Sequence, residues 1–314
     1  MNSPLVSVVI PTYNYGHYIR EAIDSALAQT YPVHEIVVVN DGSTDDTSEV
    51  LKSYGSRIRL YEQANAGPAR ARNRGIQECR GELIAFLDAD DVWLPQKIER
   101  QIEVLRDLPE SRVVSTDLAP IDRAGVRLVT ETRSRADESR KCVVTLRDLL
   151  EFASVVPSSV MVPKDYFNRL GLFDESLVGT EDMEMWWRIA SLAPIVKTTE
   201  RLTLYRVHTG SISHNADGML SNHIRLLDKA FSSLAPLRQH PHWRRIAEAR
   251  MYREVAFMRF SGGDRTGALR DLLRSGCRWP LALRDHQARR NHLGRAKMFL
   301  RYSLVRKCAA KGAS

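Results

Sequence analysis

The sequence has few cysteines, and none of them are close together. Its 314 residues contain four, which are far apart and form no C-x-x-C pair. This pattern argues against a disulfide framework or a zinc site and indicates reduced thiols, as in a cytoplasmic protein. No uninterrupted apolar run approaches the ~20 residues that cross a bilayer. The start, Met1–Pro4, lacks the basic segment of a signal peptide, so we expect a cytoplasmic chain.

Two common nucleotide-binding motifs are also missing. The first predicted strand is not followed by G-x-G-x-x-G, which disfavours a dinucleotide-dependent oxidoreductase. The chain has no G-x-x-x-x-G-K-[ST] either, which disfavours a P-loop enzyme. The composition, 43% hydrophobic and 27% charged, is that of an ordinary globular protein with a real core.

Positive charge is concentrated at the end of the chain. Residues 236–314 contain 19 Lys and Arg but 5 Asp and Glu, whereas residues 1–235 contain 27 and 33. Such asymmetry predicts a polyanionic partner, such as an anionic membrane surface. The alternative is a helical subdomain whose charges are merely solvated. A nucleic-acid partner is not expected, because no recognised binding module accompanies the charge.

Strands and helices alternate over the first ~110 residues, which predicts a mostly parallel, Rossmann-like sheet flanked by helices. The predicted strands are Val6–Ile10, Glu35–Asn40, Ile58–Tyr61 and Leu83–Leu87. The middle of the chain is less regular, with a predicted hairpin turn at residues 122–125, a polar loop at 133–141 and a helix at 181–190. Beyond residue 216 the pattern is helical throughout. We therefore expect an α/β catalytic domain over residues 1–215 and a helical, basic region over 216–314.

The fourth predicted strand ends in three carboxylates, Asp88, Asp90 and Asp91. In extended backbone Asp88 and Asp90 would point to the same side, where they repel unless a cation lies between them. Mn²⁺ or Mg²⁺ is the natural candidate, since both prefer oxygen ligands and often join carboxylates to substrate phosphates. The alternative is an acidic turn in which Asp91 caps the next helix.

Four polar loops each follow an apolar strand and should converge on one sheet edge, where open α/β sheets bind ligands. These loops are residues 11–14, 40–45, 88–91 and 180–182. A carboxylate cluster repels phosphate unless a metal neutralises it, so the pattern favours a site for a nucleotide plus a metal ion.

Five motifs in order resemble the family 2 glycosyltransferases with the GT-A fold. The motifs are SVVIPTYN in Val6–Asn14, IVVVNDGSTDDT in Ile36–Thr47, GPARARNRG in Gly67–Gly75, AFLDADD in Ala85–Asp91 and GTEDMEMWWR in Gly179–Arg188. The resemblance covers roughly residues 4–210. It implies transfer of a sugar, with inversion, from a nucleotide diphosphate, usually UDP, to an acceptor hydroxyl.

The resemblance also implies roles for individual residues. The implied nucleotide-binding residues are Pro11, Thr12 and Tyr13 under the base, Asp41 on the uracil N–H, Arg72 and Asn73 beside base and ribose, and Asp88. The implied metal ligands are Asp88, Asp90 and His208, and the implied catalytic pair is Asp182 as base with Glu181 beside it. From its helical position, Trp187 could stack on a sugar ring, with Trp186 in the core.

Each role has a structural alternative. Asp41 is also a natural turn residue before glycine, and Arg72 and Asn73 could lie on an exposed helix face. Glu181 and Asp182 also suit a helix N-terminus, and a lone histidine is often structural.

The expected function is therefore a cytoplasmic glycosyltransferase, placed at the inner face of the cell membrane by its basic tail. Its acceptor would be a glycan or lipid-linked saccharide of a cell-envelope polymer. A sugar-phosphate nucleotidyltransferase and a non-catalytic nucleotide-sugar-binding scaffold are the alternatives. The first would carry a glycine- and arginine-rich loop early in the chain, and residues 11–15 do not resemble one.

Overall fold

The computed structural model describes residues 3–108, 113–128, 141–208, 216–280 and 298. The chain forms two compact units. One comprises Met1–Thr145 and Val155–His208, and the other comprises Leu146–Ser154 and Thr209–Ser314. The sequence pattern did not indicate that residues 146–154 belong to the helical unit.

The described strands of the first unit form one mixed sheet. The strands are β1 Val6–Thr12, β2 Glu35–Asn40, β3 Arg59–Glu62, β4 Leu83–Phe86, β5 Val92–Trp93, β6 Val114–Ile121, β7 Lys141–Val144, β8 Val160–Pro163 and β9 Ile195–Arg206. Their order is β3-β2-β1-β4-β8-β6-β9-β5, with β7 also paired to β9. The first four strands are parallel, as predicted. The later strands pair antiparallel except β6 with β9.

Helices cover the sheet and build the second unit. Those of the first unit are α1 Gly16–Leu27, α2 Thr47–Lys52, α3 Pro68–Glu78, α4 Lys97–Asp107, α6 Lys164–Leu170 and α7 Glu181–Ala190. Those of the second are α5 Leu146–Glu151, α8 Ala216–Ser233, α9 Ala235–Gln239, α10 Trp243–Ser261 and α11 Arg265–Arg278.

Burial explains why the first strands could be predicted from the sequence. Every residue of β1 is buried, and so is β2 from its second residue onward. Strands covered on both faces have continuous apolar runs rather than alternating ones. On one face, Ile19 and Ile23 of α1 join Val8 and Val38 in the main core.

The connection order defines where a ligand can bind. From β1 the chain proceeds outward to β2 and β3, and then returns to β4 on the other side of β1. Such a reversal leaves a crevice at the carboxyl ends of the two central strands, which is where open α/β sheets bind ligands. The loops after β1 and β4 lie at this point.

In the second unit, Arg250 of α10 holds the short segment that contains α5. Its guanidinium donates to the backbone carbonyls of Leu149 and Ala153, the latter at 2.8 Å. Within the described residues, no helix is both long enough and apolar enough to cross a membrane. The predicted polar loop at 133–141 lies outside the described residues except for Lys141, which begins β7. Of the helical pattern predicted beyond residue 216, residues 281–314 lie outside the described residues except for residue 298.

Three local features complete the first unit. The region from Val196 to Tyr205 is part of the single long strand β9. The predicted hairpin turn at 122–125 is present, and within the described residues up to 128 it is followed by an isolated bridge between Ile121 and Arg127. The Ser43 hydroxyl accepts the backbone N–H of Asn14, and α2 has no side-chain cap in the part of the chain that the structure describes.

Candidate active site

The acidic loop, residues 88–91, begins two residues after β4 ends. The Asp88 amide donates to the Ser158 hydroxyl at 3.0 Å, and the Asp91 amide donates to the Asp88 carbonyl at 3.1 Å. The backbone therefore turns here, whereas the prediction for Asp88 and Asp90 assumed extended backbone. Instead the two carboxylates bind different partners.

Arg72 of α3 joins Asp88 to the start of α7. Its guanidinium lies 2.7 Å from the Asp88 carboxylate and 2.9 Å from that of Glu181. Burial opposes the charge of the guanidinium, but the two carboxylates outweigh it and raise the pKa of Arg72. Arg72 is thus buried between two acids rather than on an exposed helix face. Its predicted contact with base or ribose stays a prediction.

Asp182, the predicted base, lies beside this ion-paired group and keeps part of its surface exposed. Burial and the neighbouring Glu181 raise its pKa to about 7, against the opposing effects of Arg72 and the Met183 amide. That amide donates to Asp182 Oδ1 at 2.7 Å, which fixes the orientation of the carboxyl group. A carboxyl group with this pKa can accept a proton near neutral pH.

Asp90, the other predicted metal ligand, contacts the predicted histidine. His208 Nε2 lies 2.9 Å from Asp90 Oδ2, although the two residues are 118 positions apart in the chain. Burial and the nearby Asp88 raise the pKa of Asp90, while His208 opposes this shift. A carboxylate and an imidazole in contact, beside a second carboxylate, fit Mn²⁺ or Mg²⁺. Among the described residues no group of three His, Cys, Asp or Glu could hold a metal ion by itself.

The loops after β1 and β2 are held together around Asn14. Asn14 has a left-handed backbone, with φ of 57°, and its side-chain oxygen accepts the Thr44 amide at 2.7 Å. Pro11 and Thr12 are buried in β1, while Tyr13 is 42% exposed. Of the three predicted base-contacting residues, only Tyr13 is exposed here, and their contact with the base stays a prediction.

Asp41 is buried and already hydrogen-bonded. Its carboxylate accepts the Gln63 side chain at 2.7 Å and the backbone amides of Ala66 and Gly67, the latter at 2.8 Å. These bonds order the loop that leads into α3, so the turn role is present. The predicted bond to a uracil N–H would have to add to this set or displace part of it, and it stays a prediction.

Asn73 is also engaged with the protein itself. Its amide nitrogen donates to the Phe173 carbonyl at 2.9 Å, and its oxygen accepts the Phe173 amide at 2.8 Å. The nitrogen also donates to the Glu175 carboxylate at 3.0 Å. These bonds fix the segment before α7, and a contact with the nucleotide is a prediction that no observation here supports.

Both tryptophans of α7 are buried. Trp186 packs against Phe86 and Phe173, as expected for a core residue. Trp187 is only 3% exposed, because the helix is covered on this side as well. A sugar ring could not stack on it without a change in its surroundings, so that prediction gains no support.

Sequence reasoning missed three residues that lie against the site. Ser158 binds the Asp88 amide, and Arg206 binds the Asp90 carbonyl. The Tyr15 ring lies 6.0 Å from that of His208. Tyr15 had the clearest local signal, since it follows the first motif directly.

The sheet order, with an acidic loop at the reversal of strand order, defines an α/β fold with a ligand-binding crevice at that point. A family model described as "Glycosyl transferase family 2" matches residues 7–143. An uncharacterized glycosyltransferase of Rickettsia typhi is 37% identical over 222 residues, which cover 70% of each chain. The chain therefore belongs to glycosyl transferase family 2. A longer Rickettsia felis glycosyltransferase is 39% identical over 223 residues, which are 70% of this chain but 36% of that protein.

Two solved structures support the fold. Staphylococcus aureus TarS 1-349 in complex with UDP-GlcNAc has a TM-score of 0.55 and 17% identity, covering 88% of this chain and 92% of that one. The mannosyltransferase PcManGT of Pyrobaculum calidifontis, in complex with GDP-Man and Mn²⁺, has a TM-score of 0.60 and 20% identity, covering 88% and 76%. At these identities the similarities establish the GT-A fold alone, as predicted.

Proposed function

We propose that this protein transfers a sugar, with inversion, from a nucleotide diphosphate sugar to an acceptor hydroxyl, with Asp182 as the base. The observation that carries the proposal is the state of Asp182. Its pKa is about 7, it is partly exposed, and it adjoins the ion pairs that join Glu181 and Asp88 through Arg72. These features support Asp182 as the base beside the acidic loop.

The chain's own residues account for the proton transfer. Asp182 Oδ1 is occupied by the Met183 amide, so Oδ2 is the atom that takes the acceptor's proton. The acceptor oxygen then bonds to the anomeric carbon as the bond from that carbon to the diphosphate oxygen breaks. Arg72 pairs with both Asp88 and Glu181 and so holds the two carboxylates beside the base.

A bound Mn²⁺ or Mg²⁺ would stabilise the charge that develops on the departing diphosphate. Asp90 and His208 would hold it, with Asp88 beside them, and the donor and water would supply the remaining ligands. Two protein ligands plus substrate phosphates is a usual arrangement for such ions. PcManGT, which shares the fold, is described with Mn²⁺.

The donor is proposed to be a UDP-sugar, based on the motif resemblance and on the UDP-GlcNAc complex of TarS. The GDP-Man complex of PcManGT shows that the fold also accepts a purine donor. We propose a glycan or lipid-linked saccharide of a cell-envelope polymer as the acceptor. The place of action would be the cytoplasmic face of the membrane, reached through the basic end of the chain.

The test is the substitution Asp182→Asn, which keeps the hydrogen bond to Met183 but removes the base. We expect turnover to fall on the order of 10²- to 10⁴-fold, while UDP binding with Mn²⁺ changes little. Glu103→Gln, which neutralises an exposed acid on α4, is the matched control and should retain full turnover. Full turnover by Asp182→Asn would refute the base assignment. UDP-sugar binding by the wild type without turnover of any donor would instead support the scaffold alternative.

A further inference from the structure

The Arg206 side chain, at the end of β9, is fully buried and joins four parts of the first unit. Its Nε donates to the Asp90 carbonyl at 2.7 Å, and its Nη2 lies 2.8 Å from the Glu21 carboxylate of α1. Its Nη1 donates to the carbonyls of Asp122 and Arg123, at 3.2 and 2.9 Å. The guanidinium also lies 4.5 Å from the centre of the Tyr18 ring.

Such a set of partners depends on the shape of arginine. A buried cation is tolerated only when its donors are satisfied, and here each guanidinium nitrogen has an acceptor. Three of the four acceptors are backbone carbonyls, so the network orients backbone segments more than it neutralises charge. Lysine, whose donors radiate from one atom, cannot span the same acceptors.

The backbone of Arg206 adds a second bond to the acidic loop. Its amide donates to Asp91 Oδ1 at 2.9 Å, and Asp91 is 1% exposed. One residue of β9 is therefore bound to two consecutive residues of the loop. Two positions further along the chain, His208 contacts the Asp90 carboxylate at 2.9 Å.

From this arrangement we infer that Arg206 is a positioning residue for the divalent cation. It fixes the acidic loop to the end of β9 and so sets the spacing between Asp90 and His208. Partners behind metal ligands commonly change metal affinity 10- to 100-fold when they are replaced. The inference rests on the metal site of the proposed function, but it adds a residue that would never touch the cation or the donor.

The test compares Arg206→Lys with the wild-type full chain by titrating Mn²⁺ in the presence of UDP and following free Mn²⁺ by electron paramagnetic resonance. We expect the variant to bind Mn²⁺ about 10-fold more weakly or worse. UDP binding without metal should be unchanged, because the hydrogen bonds of the Arg206 side chain go to Asp90, Glu21 and the turn at 122–123 and not to the loops after β1 and β2.

Arg188 of α7 offers a matched control. It too binds one glutamate and several carbonyls, those of Leu170, Gly171 and Leu172, with Glu184 as the carboxylate. None of these partners belongs to the acidic loop. Arg188→Lys should therefore lower the melting temperature without weakening Mn²⁺ binding.

Each outcome has a distinct meaning. Failure of the wild type to bind Mn²⁺ would refute the metal site of the proposed function. Two other results would overturn the positioning role alone, provided that the wild type binds Mn²⁺. One is an Mn²⁺ affinity of Arg206→Lys equal to that of the wild type, and the other is a loss of Mn²⁺ affinity in Arg188→Lys as large as that in Arg206→Lys. Should Arg206→Lys not fold, Glu21→Gln decides, because Glu21 is half-exposed and its loss leaves the other bonds. It should weaken Mn²⁺ binding by less than the roughly 10- to 100-fold that loss of a whole supporting residue causes, and wild-type affinity there would overturn the inference.

Discussion

The elevated pKa of Asp182 predicts how transfer depends on pH. Because the proposed base, Asp182, would act in its ionised form, we expect turnover to follow the ionised fraction and to fall as the pH drops through about 7. The groups that face it are Glu181, Arg72 and Asp88. Of these, Glu181 has the largest effect after burial, since a neighbouring negative charge makes ionisation of Asp182 harder.

The expected magnitude follows from the pKa alone. With a pKa of about 7, half of the Asp182 carboxyl groups are ionised at pH 7 and about a tenth at pH 6. The kcat at pH 6 should therefore be about fivefold below that at pH 7. Glu181→Gln removes the negative charge that raises the pKa of Asp182, while Arg72, which lowers that pKa, remains. The midpoint of the profile should then move to lower pH, whatever happens to the maximal rate.

The assay is UDP release from the donor that gives the highest turnover in a nucleotide-sugar screen. It is run from pH 5.5 to 8.5 at saturating donor and Mn²⁺ and at constant ionic strength, which isolates kcat from binding. Glu103→Gln serves as the control and should reproduce the wild-type midpoint. A wild-type profile that is flat across this range, or a midpoint that rises in Glu181→Gln, would refute the reasoning.

Two further predictions concern stability. Lys97 is fully buried, and in the described structure its Nζ has no hydrogen-bond partner. The Nζ lies over the Trp93 ring, 3.8 Å from the ring centre. Burial holds the pKa of Lys97 well below its usual value, so the wild type loses stability as the pH falls. Lys97→Met should therefore raise the melting temperature, by more at pH 6 than at pH 9, and a lower melting temperature at both would contradict this. Asn73→Ala should lower the free energy of unfolding by about 2 kcal/mol in urea titrations, because it leaves both backbone groups of Phe173 unpaired. If Asn73→Ala lowered the free energy of UDP binding by more than the free energy of unfolding, the result would support the predicted nucleotide contact of Asn73.

The elements that could be predicted are those whose sequence pattern reflects local burial. The bounds of β2 and α7 match the predicted ranges Glu35–Asn40 and 181–190. A fully buried strand leaves an unbroken apolar run, and a helix start leaves first-turn acids such as Glu181 and Asp182. The acidic loop was placed correctly along the chain, yet its turn was not foreseen, because nothing in three nearby aspartates specifies extended or bent backbone.

The contacts that could not be predicted are those between distant parts of the chain. Arg206 meets Asp90 and Glu21, which are 116 and 185 positions away. The only local sign was its spacing of two and four residues from Leu204 and Leu202, which places it on one side of a strand. The burial of Lys97 was also unexpected, because lysine is almost never fully buried without a partner.

Two buried arginines hold the acidic loop at different residues. Arg72 ties Asp88 to the start of α7, where the proposed base lies, and Arg206 ties Asp90 to the end of β9, where His208 follows. The loop itself has little regular structure, so its geometry must come from such long-range bonds. A change at Arg72 should therefore act mainly on proton transfer, and a change at Arg206 mainly on cation binding. On the proposed function, we expect the two roles of the loop to be separable by mutation even though Asp88 and Asp90 are only two residues apart.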